Sequence, residues 1–105
     1  MESFVRLNLL LDFYGQLLTE RQRLACRLYY EENFSLGEIA EELSISRQAV
    51  HDTLRRASGS LEGYEDRLKL VDRFHEQQQE LRRVKQMLLE GHVEEVLPLL
   101  DKLIY

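Results

Sequence analysis

The chain has 105 residues, 44% of them hydrophobic and 31% charged, with 19 acidic groups against 14 basic for a net charge of −5. That length fits one domain, since single domains run to roughly 100–200 residues. The acidic balance excludes a protein that grips a polyanion over its whole surface, and no run approaches the ~18 uninterrupted apolar residues of a membrane span. Cys26 is the only cysteine, so no internal disulfide can form. That suits a reducing compartment. The Met-Glu-Ser-Phe start lacks the basic-then-apolar order of a secretory signal, and a cytoplasmic location is expected. One proline and five glycines leave little turn punctuation, so an all-α fold with short connections is expected.

In chain order, residues 3–18 come first. Phe4, Val5, Leu7, Leu9, Leu10, Leu11, Phe13, Tyr14, Leu17 and Leu18 cover nearly the whole circumference of a helix. Such a helix needs neighbours on several sides. Thr19-Glu20-Arg21-Gln22 has the capping-box form, a hydroxyl followed three residues on by a long polar side chain, and opens a second helix that Asn33 can end. Ser35-Leu36-Gly37-Glu38 repeats the signal for a short helix with Ile39, Ala40 and Leu43 inward. Ser44-Ile45 makes a tight turn, and Ser46 caps a further helix from Arg47 to about Ala57, with Ala49, Val50, Thr53 and Leu54 inward. Two short helices joined this briefly form a helix-turn-helix.

Ser58-Gly59-Ser60 reads as the domain boundary, giving an N-terminal helix plus helix-turn-helix over 1–59 and a helical tail over 60–105. The tail begins as a helix from Leu61 to about Glu90, up to ~30 residues and ~45 Å long. Within it Leu70, Phe74, Gln77, Leu81, Val84 and Leu88 recur at spacings of four and three, a coiled-coil-like seam with one polar member. The seam either folds back over the apolar first helix or pairs with the same helix of a second chain. The helix would overrun a compact globule of this size, whose radius of gyration is ~13 Å, and that favours a homodimer. Gly91 breaks the run, and a last apolar helix follows with Val93, Val96, Leu97, Leu100, Leu103 and Ile104. Pro98 there implies a kink or a later helix start.

The second helix of a helix-turn-helix enters the DNA major groove, its first residues nearest the bases. Arg47, Gln48, His51 and Arg55 are the candidate readers, and Arg56 a candidate phosphate contact. Arg47 suits guanine and Gln48 adenine, each through two hydrogen bonds. Residues 46–57 carry three Arg against one Asp, a local +2 within an acidic chain. Glu38, Glu41 and Glu42 on the preceding helix, and Asp52 on the reading face itself, oppose this and imply weak, salt-sensitive binding. Solvated helix faces are the plain alternative for all of these charges. His51, His75 and His92 lie too far apart for metal-ligand spacing. Neither a phosphate-binding glycine loop nor a nucleophile motif occurs, so neither cofactor nor metal is expected and the chain reads as a non-enzyme.

Residues 18–57, through LTERQR (18–23), SLGEIAEELSISRQAV (35–50) and LRRA (54–57), resemble the DNA-binding fourth region of bacterial primary sigma factors. Together with VRLNLLLDFYGQLLTERQ near the start, the whole chain resembles the YlxM-type family of small bacterial helix-turn-helix proteins. The resemblance implies a sigma-like helix-turn-helix with a helical extension. It also implies a link to the signal recognition particle pathway, because genes of that family typically neighbour the gene of the particle's GTPase. Two functions follow as expectations. One is a DNA-binding regulatory protein; the other is a protein-interaction module acting on the particle or its GTPase without binding DNA.

Overall fold

The computed structural model describes residues 2–104. Among them are six α-helices and no strand: α1 (Glu2–Tyr14), α2 (Glu20–Cys26), α3 (Leu36–Leu43), α4 (Arg47–Leu68), α5 (Leu70–Leu89) and α6 (Val93–Ile104). The chain is therefore all-α, as its composition implies. It divides into two compact units, Met1–Lys69 and Leu70–Tyr105.

In the first unit α4 is the spine, and α1, α2 and α3 all pack against it. Leu10 and Tyr14 from α1, Ala25 and Cys26 from α2, Ile39 and Ala40 from α3, and Val50, Leu54, Ala57 and Leu61 from α4 are buried. Local chemistry starts α2 and α3 where the spacing of polar residues implies. Thr19 Oγ1 accepts from Gln22 N at 3.2 Å while Gln22 Oε1 accepts from Thr19 N at 3.1 Å, and Ser35 with Glu38 does the same at 3.1 and 3.0 Å. α2 widens into a π-helical turn, Arg27–Glu31, closed by Glu32 N donating to Arg27 O at 3.1 Å. Asn33 then takes the left-handed conformation at φ 58°. The turn brings Tyr29 and Tyr30 edge to face, ring centres 5.0 Å apart, and both rings meet Phe4 of α1.

The helix expected from Arg47 does not end near Ala57. It runs through Ser58-Gly59-Ser60 to Leu68, 22 residues in all, so the expected boundary at 59/60 lies inside a helix and the compact units part at Lys69. Tertiary contacts explain the difference. An interior glycine costs a helix about 1 kcal/mol relative to alanine, whereas burying Leu61 fully is worth roughly 1.5–3 kcal/mol. Beyond Leu61, α4 is tied to the α1 region three times. Glu62 takes a two-bonded contact from Arg6 at 2.8 and 2.7 Å, Tyr14 Oη donates to Glu65 Oε1 at 2.6 Å, and Tyr64 Oη donates to Leu17 O at 3.3 Å. Hydrogen bonds from Arg6 hold the Glu62 carboxyl below the usual carboxylate range. The gain is thus present above that range and lost as acid protonates Glu62; it stays under about 1 kcal/mol because both side chains are over a third exposed.

The helix expected over 61–90 is likewise interrupted. Lys69 stands at φ 57°, left-handed, with its N–H on Glu65 O at 2.9 Å, and closes α4. A non-glycine residue held there costs about 1–3 kcal/mol. The first helix also differs from expectation: it is not buried all round, with Phe4 37%, Val5 66% and Phe13 39% exposed.

In the second unit α5 packs against α6. Gly91 turns the chain between them at φ 87°, and His92 N donates to Met87 O at 2.9 Å. Val71, Val84 and Val96 are its buried side chains among the described residues. α6 begins at Val93, with Pro98 inside it, so the alternative of a later start is set aside.

Gly59 is helical and exposed, and a methyl group added there meets nothing within 4 Å. Gly59→Ala is therefore expected to stabilise the protein by about 0.5–1 kcal/mol, measured as a higher urea midpoint. An unchanged midpoint would mean that the segment behaves as a linker.

Candidate nucleic-acid interface

The helix-turn-helix is built by α3, the turn at Ser44 and Ile45, and the first half of α4. Ser44 closes α3 in the left-handed conformation, φ 56°, its N–H on Glu41 O at 3.3 Å, and Ile45 N donates to Ala40 O at 3.0 Å. Ser46 Oγ accepts from Ala49 N at 3.0 Å and starts α4. Ile39, Ala40, Val50 and Leu54 are buried between the two helices and their neighbours, which leaves the opposite face of α4 to solvent.

That face carries Gln48, His51, Asp52 and Arg55, and Asp52 joins them. Its Oδ1 accepts from Gln48 Nε2 at 3.1 Å and lies 3.7 Å from His51 Nδ1 and 3.8 Å from Arg55 Nη2. Three candidate readers thus converge on one carboxylate that the sequence presents only as an interruption. The four-residue spacing of Gln48 and Asp52 is the signal that could have revealed it. Arg47 stands apart. Its Nε is 3.8 Å from where a Cβ on Gly37 would be, so its side chain lies over the first turn of α3, beside a shallow groove that also includes Ala40, Glu41 and Ile45. Arg56 is exposed on the other flank of the reading face.

The acids of α3 are disposed unevenly. Glu38 is held below the usual carboxylate range by hydrogen bonds from Ser35, first its backbone and then its side chain, so that charge serves the cap. Glu41 and Glu42 are exposed. A cleft of about 210 Å³ adjoins the reading face, between Tyr29, Tyr30, Leu36, His51, Leu54 and Arg55. Tyr30 is held there partly by Ser58, and burial raises its hydroxyl above the ordinary tyrosine range. The two tyrosines therefore act as packing between π-turn and helix, with one edge on the cleft. On the α1–α2 side a second cavity of about 310 Å³ is lined by Arg23 and Arg27 together with Asp12 and Glu31, charges of both signs from separate elements that spacing alone does not bring together.

Burial pushes the Cys26 thiol up to about 11, which keeps it protonated near neutral pH and a poor nucleophile. Among the described residues no three His, Cys, Asp or Glu side chains gather as a metal-ligand set, and no helix is long and apolar enough to cross a membrane. The seam residues are dispersed. Val84 is buried and Leu70 and Phe74 are half-buried, whereas Gln77, Leu81 and Leu88 are exposed, the two leucines at 47% each. Leu89, Val93, Leu97 and Ile104 add to the exposed apolar surface of the second unit.

Residues 1–100 match a family model described as "Putative helix-turn-helix protein, YlxM / p13 like". A protein of Bacillus mycoides (strain KBAB4) called a UPF0122 protein is 49% identical over 96 residues, which cover 90% of this chain and 87% of that one. A UPF0122 protein of Desulforamulus reducens is 51% identical over 88 residues, 84% and 75% of the two chains. One from Bacillus cereus (strain AH187) is 47% identical over 96 residues, 90% and 87%.

Proposed function

We propose that this chain, which belongs to the YlxM/p13-like family of helix-turn-helix proteins, is a DNA-binding regulatory protein that reads sequence with the first half of α4. The observation that carries the reading is a helix start capped by Ser46 behind a left-handed turn at Ser44, with Gln48, His51 and Arg55 on its solvent face. The first residues of such a helix are the ones that meet base edges. Arg47 reads a guanine once it swings from Gly37 into the groove, Gln48 reads an adenine, and Arg56 meets a phosphate. Family and fold alike point to a role without catalysis.

The net charge of −5 leaves the local +2 of the recognition segment to provide the attraction. Affinity is therefore expected to be modest and steeply dependent on salt. A second copy of the chain would double the contacts through paired half-sites. The exposed Leu81 and Leu88, seven residues apart on α5, support self-association through the tail. The same apolar tail also favours a second reading, a protein-docking module for the signal recognition particle or its GTPase.

Anisotropy titration with duplex DNA separates the two readings. Saturable binding that weakens with salt supports the first, and no binding at low salt supports the second. Arg47→Ala should weaken binding to a preferred site by about tenfold more than to random duplex, the worth of one two-bonded base contact; equal losses would contradict base readout. For the tail, light scattering should give about twice the chain mass of 12.5 kDa at micromolar concentration, falling towards one chain in Leu81→Asp. A single-chain mass for the wild type would refute self-association.

A further inference from the structure

An acid in the middle of a helix face meant for DNA is unfavourable for affinity, since phosphates repel it. Asp52 nonetheless sits there, and Gln48, His51 and Arg55 are all arranged around its Oδ1. The contact with Gln48 is the one with hydrogen-bond geometry, 3.1 Å from Nε2 to Oδ1. An ionised carboxylate only accepts. The amide must therefore turn its NH2 end towards Asp52 and its carbonyl oxygen away. One N–H is used by Asp52; the second N–H and Oε1 remain as an adjacent donor and acceptor. That is the pair adenine requires, with N7 as acceptor and the N6 amino group as donor.

Resting on the DNA-binding reading above, we infer that Asp52 is a positioning residue: it fixes the orientation of the Gln48 amide so that this position of the reading helix selects adenine. A free glutamine side chain samples several rotamers and both amide orientations, and it would lose that freedom on each binding event. Holding the amide beforehand removes part of this loss. Asp52 thereby exchanges general affinity for choice of base. Its charge weakens every duplex alike, while its hydrogen bond favours only the one that presents adenine to Gln48. His51 and Arg55, 57% and 72% exposed along their side chains, stay outside this lock and remain available to other contacts.

The test is a selection from randomised duplex followed by anisotropy titrations, on the full-length wild type and on Gln48→Ala, Asp52→Ala and Asp52→Asn. Asp52 is on the solvent side of α4 and none of these changes touches the core; circular dichroism checks that helicity is kept. Gln48→Ala should abolish an adenine preference at one position of the selected site and so identify it. Asp52→Ala should lose about tenfold of preference at that same position, while its binding to random duplex strengthens, most at low salt. Asp52→Asn, which keeps an acceptor oxygen but drops the charge, should strengthen random binding yet retain the adenine preference. An undiminished preference in Asp52→Ala would overturn the positioning role and leave DNA binding intact. So would equal losses in the Ala and Asn variants, or losses at every position, because charge or folding would then be responsible. No binding by the wild type would remove the DNA-binding reading itself, and the positioning role with it.

Discussion

The hydrogen bond from Tyr14 to Glu65, 2.6 Å long with Glu65 only 2% exposed, holds α4 to α1 well beyond the point where a recognition helix would ordinarily stop. A carboxyl group that deep is costly unless a donor meets it. The arrangement therefore exists only if α4 stays helical through Ser58-Gly59-Ser60. Leu61 and the Arg6–Glu62 contact lie on the same stretch. The consequence reaches the other end of the helix. The residues that face solvent at 47–55 are carried by a rod some ~33 Å long, anchored in α1, α2 and α3 at once.

Charge works on a different scale from packing here. The chain carries −5 overall, and on the solvent face of α4 Gln48, His51 and Arg55 surround one aspartate. A face designed for affinity alone would lack that carboxylate. Under the proposed DNA-binding role, it would reduce the general attraction to phosphates and give weight to the orientation of neighbouring side chains, a balance that favours discrimination over grip. The second unit leaves apolar residues of α5 and α6 exposed. A helical pair of this size has little core of its own; under the proposed self-association, a second copy would supply through multiplicity what one weakly attracting helix lacks.

Local features of this fold are legible in the sequence because their chemistry is local. Thr19 with Gln22, Ser35 with Glu38, and Ser46 each declare a helix start through a hydroxyl and a spacing of three. The inward positions Ile39, Ala40, Val50 and Leu54 follow from helical periodicity. The long-range features are not legible in this way. Ser58-Gly59-Ser60 has the composition of a linker, and tertiary contacts beyond it, the burial of Leu61 and the Tyr14–Glu65 hydrogen bond, favour the helix there. Lys69 interrupts a run with no glycine or proline beside it, so its left-handed turn has no composition signal at all. The seam from Leu70 to Leu88 follows heptad spacing, yet Val84 is buried in a unit where α5 packs against α6 while Leu81 and Leu88 remain exposed. At the candidate interface the residue types are readable, but their convergence on Asp52 is a matter of side-chain direction.

The most direct test of the central claim, that α4 reads DNA with its first half, is a titration of the 15N-labelled protein with a mixed-sequence duplex at low salt, followed by amide chemical shifts. The account predicts perturbations concentrated in residues 46–56, including the side-chain amide of Gln48. An unperturbed spectrum, or changes confined to residues 70–104, would contradict it.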